Sequence, residues 1–275
     1  EGALKSQEAN GGWGYHPGKG REKLGADGTQ TMGTCGREAL SLARWAAISG
    51  DSATIEALRK AMDRLRKFPV PRGAQGWECP ILEPDVLASA YALRAAVWAY
   101  MATGDPQYLT DARFYARTGL PFQYAWDDGR HPGMRYASIP VFGSTFFTHS
   151  WIGLPVQWCG LVYAYGLQEL MRFDQSDLWA RQVDGMVASG MHQQWSMDNE
   201  KLAGTYPDSF GQWFTTRNGV YINPENIQLN LMARRGLDPG LRSLAVKAGE
   251  RTLHVTAPGD LQTRAGGEGL IVRLK

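Results

Sequence analysis

The chain has 275 residues, is 43% hydrophobic and carries 29 basic against 27 acidic residues, a formal net charge of +2. That is long enough for one large domain with a substantial core. The near balance of charge argues against a nucleic-acid polymer as main partner, because neutralising phosphates needs a concentrated basic surface, and no apolar run reaches the length of a membrane-spanning helix.

The chain opens at Glu1 without Met or signal peptide, and closes inside a strand-like stretch, residues 269–275. Both ends read as cut from a longer parent chain, so the rest of that parent is an expected partner. Cys35, Cys79 and Cys159 lie far apart, with no CxxC or His-rich spacing. Neither a metal site nor a cofactor is expected.

Two kinds of helical segment alternate. Residues 36–48 begin the series as a moderately apolar helix. Residues 53–67 follow, with Ile55, Leu58, Met62 and Leu65 on one stripe among Arg and Lys, the mark of a half-exposed helix. Residues 86–103 are apolar almost all round with Arg94 the only charge, and a helix of that kind is buried on every side. Residues 106–117 are striped again through Tyr108, Leu109, Ala112 and Tyr115. Residues 156–171 are apolar with Glu169 the only charge. Residues 176–192 are striped through Trp179, Val183, Met186 and Val187.

The turns inside these pairs are short and begin SGD, TGD and RFD. Gly50 and Gly104 suit helix C-termini, and Asp51, Asp105 and Asp174 suit the turn and the next N-cap. An inner buried helix, a short turn and an outer amphipathic helix therefore occur three times, at a spacing of roughly 55 to 70 residues. Inner helices side by side with outer helices behind them make a toroid. A further helix is expected from Pro224 to Gly236. After Pro239 the pattern changes to β-branched alternation at residues 252–256 and 269–274, with turn signals at Pro258-Gly259 and Gly266-Gly267.

The expected architecture is therefore an all-α, partial (α/α) toroid over residues 1–238, followed by the beginning of a β domain over 239–275. Three hairpins are visible, too few to close a ring, so an open inner edge with exposed apolar surface is expected.

GGWGYHPG at residues 11–18, QGWECPILEPDVLASAYALRAAVWAYMATGD at 75–105 and IGLPVQWCGLVYAYGLQEL at 152–170 resemble the loop-to-helix pattern of α/α toroid proteins. That superfamily includes six-hairpin glycosidases, toroid polysaccharide lyases and terpenoid cyclases. The resemblance covers roughly residues 11–236, and is one of architecture and loop style. It implies a carbohydrate-active enzyme, with a carbohydrate as substrate and a secreted or periplasmic location. The DxDD-type and repeated QxxxxxW signatures expected of terpenoid cyclases are not found.

Long loops precede the inner helices, at residues 68–84, 118–155 and 195–223. Loops of that length tend to be functional. The short turns occupy the opposite end, so the cleft is expected at the long-loop end. These loops and the one at 11–18 hold Trp13, Tyr15, Trp77, Tyr124, Trp126, Tyr136, Trp151, Trp195, Tyr206, Trp213 and Tyr221. Aromatic faces pack on the C–H faces of sugar rings, although many such side chains simply fill a toroid mouth.

The loops also carry acids, and glycoside hydrolysis needs two carboxyls across a cleft. Glu78, Asp85 and Asp208 are the catalytic candidates. Glu78 adjoins the apolar wall of Trp77, Asp85 precedes an inner helix and is equally an N-cap, and Asp208 lies in TYPDSFG. Trp77, Trp126, Asp127, His149, Trp151, Tyr206 and Glu225 are expected to line the cleft. Elimination on a uronate polymer is the alternative, with His149 or Tyr206 as base and His131, Arg135, Tyr136 and Arg217 nearby in sequence or loop style. The near-neutral net charge leans towards hydrolysis, because an anionic polymer prefers a basic cleft. A non-catalytic glycan-binding or scaffold toroid is the reading from a different class.

Overall fold

The computed structural model describes residues 2–131, 133–143, 151, 153–211, 217–237, 241–248, 251–258, 261–266 and 269–274. After a five-residue helix α1 (Gly2–Ser6), three hairpins follow: α2 (Met32–Ser49) with α3 (Ser52–Leu65), α4 (Val86–Thr103) with α5 (Gln107–Gly119), and α6 (Gln157–Met171) with α7 (Asp177–Gln193). Helix α8 (Glu225–Arg234) comes next. The expected inner and outer helices all form. The largest boundary difference is α2, which starts four residues before the expected 36. Thr31 caps it in a reciprocal pair with Thr34, satisfying donors that the glycine-rich start MGTCG does not advertise.

The short turns close as the glycines require. Gly50 (φ 65°) and Gly104 (φ 71°) terminate α2 and α4 in the left-handed conformation. Asp51 caps α3 through the Thr54 amide. Ser176, rather than Asp174, caps α7, while Asp174 bonds the Ser176 amide and Arg113 at 2.8 Å.

Inner helices α2, α4, α6 and α8 pack in that order, each outer helix packs behind its own partner, and among the described residues α8 and α2 share no extensive contact. Helix α4, at the centre of the arc, is buried on nearly every face. Burial of each large side chain such as Leu87, Leu93 or Val97 contributes about 1.5–3 kcal/mol, which is why a helix with almost no polar face sits here. At the two ends of the row apolar side chains meet solvent. Trp45 and Ile48 do so on α2, and Leu229 and Met232 on α8.

Close approach at the long-loop end depends on Gly33. A Cβ there would stand 2.3 Å from the Ala74 amide nitrogen, and the Gly33 N–H already donates to the Arg72 carbonyl at 2.8 Å. Gly33→Ala is therefore expected to cost about 1–3 kcal/mol by overpacking, read as a lower midpoint in urea at unchanged slope.

Strands occur as three separate antiparallel pairs, with no central sheet among the described residues. The segment 195–223, expected as a long loop, contains the hairpin β1 (Tyr206–Phe210) and β2 (Arg217–Ile222). Its signal was present in the β-branched and aromatic residues and Asn218-Gly219, but the polar surroundings read as loop. The other long loops are stitched by backbone hydrogen bonds. Val86 N–H donates to Pro140 at 3.0 Å, Val156 N–H to Ser138 at 2.7 Å and Phe210 N–H to Pro155 at 2.9 Å.

Beyond α8, β3 (Leu241–Ala248) pairs with β4 (Arg251–Pro258), and β5 (Leu261–Gly266) with β6 (Gly269–Leu274). The β3–β4 hairpin covers the short-turn end. Thr256 Oγ1 donates to the Ala47 carbonyl at 3.2 Å, and Gly104 leaves room for the Ala245 carbonyl.

Candidate active site

The free mouth of the arc is the long-loop end, where α2, α4 and α6 begin. Three of the expected acids gather there around Cys159, in the first turn of α6. Burial pushes the Cys159 thiol well above its ordinary range, and the charges of Asp85, Asp208 and Glu78 push it further.

Asp208 is placed by strand geometry. In the β1–β2 ladder Pro207 pairs with Tyr221 and Ser209 with Asn218, so one residue of β1 stands against two of β2. The extra residue lies on β2, and Asp208 stands opposite the point where the ladder shifts register. The Asp208 carboxylate accepts a hydrogen bond from the Trp158 indole at 3.2 Å, next to an α6 N-terminus that has no side-chain cap and whose dipole favours an anion. Glu78 lies in a turn whose amides bond Gln75, and its Oε1 accepts from the Trp77 indole at 3.0 Å. Trp77 is partly exposed and lines a cleft of about 750 Å³ with Tyr15, His16, Arg37 and Glu38.

Asp85 corrects its catalytic assignment. It is 1% exposed and its carboxylate is fully occupied, by the amides of Leu87, Ala74 and Gln75 at 2.8, 2.9 and 3.0 Å and by Gln75 Nε2 at 3.1 Å. Burial raises its pKa to about 6 against those four donors. It is the N-cap of α4 and the tie that holds the Trp77–Glu78 loop on that helix.

Other expected lining residues fall elsewhere. Trp151 is 1% exposed and fills the core, so it offers no face to a ligand. Tyr206 is fully buried and burial raises its phenol to about 12. Neither a ring face nor a general base is available there. Trp126 is exposed and meets Tyr124 edge-on at 6.2 Å. Asp127 accepts from the Gly129 amide and builds a turn. Its neighbour Asp128 accepts from the Arg130 and His131 amides and from the His131 ring, and those bonds hold it down to about 2. Glu225 is exposed in the first turn of α8. His149 and Trp213 lie outside the described residues.

The sequence reading names no residue of the inner-helix faces as part of a site. Tyr91 and Arg94 on α4 and Trp158, Val162 and Tyr165 on α6 are partly open although most of their helices are buried, and Arg37 and Arg44 are exposed on α2. The signal was the isolated Arg94 and the isolated Glu169, each the sole charge of an apolar helix; two such residues require one another. They form a two-pronged ion pair at 2.8 and 3.1 Å. Among the described residues no group of three or more His, Cys, Asp or Glu stands ready to hold a metal, and no helix is long and apolar enough to cross a membrane.

A row of buried inner helices, outer helices behind it and a loop-built mouth at the inner N-termini define the α/α toroid fold. No family model matches the chain, and no curated protein matches its sequence. Among solved structures the chain is similar to the cellobiose 2-epimerase from Spirochaeta thermophila, with TM-score 0.57 and 17% identity over 86% of this chain and 61% of that one. It is also similar to the unsaturated glucuronyl hydrolase from Bacillus sp. GL1, with TM-score 0.54 and 12% identity over 86% of this chain and 66% of that one. A family 76 glycoside hydrolase from a bovine Bacteroides thetaiotaomicron strain follows at TM-score 0.50 and 11% identity, over 94% of this chain and 60% of that one. At these identities the likeness is one of fold, and the chain spans about three-fifths of the epimerase.

Proposed function

We propose that the mouth is the cleft of a carbohydrate-active enzyme that hydrolyses a glycosidic bond with Asp208 and Glu78 as its two carboxyl groups. The observation that carries this reading is the Asp208 carboxylate held by the Trp158 indole at the N-terminus of α6. Glu78 and the Trp77 face share that mouth. One carboxyl delivers a proton to the leaving oxygen while the other attacks or activates water. The sugar-processing names of the neighbouring folds support the class. A secreted or periplasmic location, a division near residue 238 and further hairpins in a longer parent belong to the same reading. The exposed Trp45 and Leu229 at the ends of the inner row are consistent with those hairpins. Elimination with Tyr206 as base is the weaker reading, since Tyr206 is sealed from any substrate.

The test is a glycan panel assayed for both new reducing ends and unsaturated-uronate absorbance, run with the longest parent chain. Asp208→Asn and Glu78→Gln are each expected to lower kcat by about 10²–10⁴-fold with sugar binding largely kept. If both variants retain turnover, paired-carboxylate hydrolysis is wrong, and a product absorbing as an unsaturated uronate establishes elimination.

A further inference from the structure

Below the mouth the axis of the arc carries more positive charge than the chain's balanced composition announces. Arg94 and Glu169 are locked together, and the Trp98 indole donates to Glu169 Oε1 at 3.1 Å, so both carboxylate oxygens are engaged. Desolvation would lower the Arg94 pKa, but the Glu169 charge and hydrogen bonds outweigh it and hold the guanidinium charged.

A second guanidinium stands beside this pair. Arg44, from α2, lies over the Trp98 ring at 5.5 Å from its centroid. Among the described residues no carboxylate is within ion-pairing distance of it, and Glu169 is taken. Partial desolvation and then the Arg94 charge pull its pKa down, opposed by Glu169 and then Tyr165. Two cations thus share one anion. Arg44 and Arg94 open into a cavity of about 240 Å³ that Val162, Tyr165 and Asn226 also line. That is below the roughly 300–1,000 Å³ of a drug-sized pocket, and suits one substituted sugar unit or its acidic group.

We propose that this cavity receives the anionic substituent of a sugar, a carboxylate or a sulfate ester, with Arg44 as the pairing cation and Arg94 as its fixed neighbour. The substrate class is then an acidic glycan, and this rests on the reading of the mouth as a sugar cleft. A guanidinium held beside an aromatic face and a hydroxyl-bearing wall matches such a group in charge and hydrogen bonding. The bound anion also completes the charge balance of the Arg44–Arg94–Glu169 cluster.

The experiment is calorimetric titration of the 275-residue chain at low salt with glucuronate, glucose 6-sulfate and glucose. At least one acidic sugar is expected to bind about 10-fold or more tightly than glucose, as a charge-assisted hydrogen bond implies. The tighter of the two acidic sugars identifies the substituent. Arg44→Gln removes the preference, bringing both acidic sugars down to the affinity of glucose, while Arg44→Lys restores most of it. Arg44 is desolvated on its Trp98 side but keeps part of its side chain in solvent, so the thermal midpoint of Arg44→Gln stays within a few degrees of the parent, which a melt checks. Equal binding of glucose and both acidic sugars, no binding of either acidic sugar, or a preference surviving in Arg44→Gln overturns the proposal. The hydrolytic reading fails separately: turnover surviving in Asp208→Asn and Glu78→Gln leaves the anion preference standing, and a lost preference leaves hydrolysis of a neutral glycan standing.

Discussion

Glu169→Ala lowers the unfolding free energy by about 3–5 kcal/mol, the cost of breaking a buried ion pair from one side. Glu169 is 2% exposed and answers Arg94 through both oxygens and Trp98 through one. Without it a guanidinium nine-tenths covered has no counter-charge, and the Trp98 N–H loses its acceptor. The Arg44 and Arg94 charges then face each other with no anion between them. Desolvation would raise the Glu169 pKa, but the Arg94 charge and the hydrogen bonds lower it below the ordinary carboxylate value. Its contribution is therefore complete above the unfolded pKa and lost as pH falls through the folded one. Urea unfolding at pH 7 measures the loss. A change under 1 kcal/mol would show that the pair is not formed.

Asp85→Asn destabilises by about 2–4 kcal/mol, because the amides of Ala74 and Gln75 would face an NH₂ in place of an oxygen or lose a charged acceptor. Either orientation of the amide leaves buried donors without a partner. The pH dependence has the opposite sign to that of Glu169. Burial raises the Asp85 pKa to about 6, so the folded state holds its proton more tightly than the unfolded chain. The associated stability is full below about pH 4 and lost as pH rises through about 6, on the order of 3 kcal/mol. The stability gap between the parent and Asp85→Asn therefore narrows from pH 4 to pH 7. Turnover per folded molecule stays within a few-fold of the parent, which separates a cap from a catalytic acid. A loss of turnover as deep as that expected for Asp208→Asn, with stability unchanged, would return Asp85 to the chemistry.

The helical body was legible because its signals are local. Apolar all-round runs, single-faced stripes and the Gly and Asp of the short turns define inner helices, outer helices and their connections through neighbours a few residues apart, and α4 forms over the expected residues. The opposite ends taken by short turns and long loops follow from that topology. The expected strands at 252–256 and 269–274 form for the same reason, within β4 and β6.

The site was only partly legible, because its geometry is set by contacts across the chain. Residue type placed Asp85 and Asp208 on equal terms. Four donors from elements up to eleven residues away make one a buried cap, while a ladder irregularity against β2 and an indole fifty residues away hold the other at the mouth. Trp77 and Trp151 read alike as loop aromatics, but one reaches the surface and the other fills the core. The sequence by itself determined the helices, their inner or outer character and the end at which a cleft forms, since these depend on hydrophobic periodicity and turn chemistry. Only the tertiary structure decided that Asp85 is spent on capping α4 while Asp208 is held by the Trp158 indole. It also decided that Arg44 and Arg94 share Glu169, because desolvation and charge pairing act through space between residues that the chain keeps far apart.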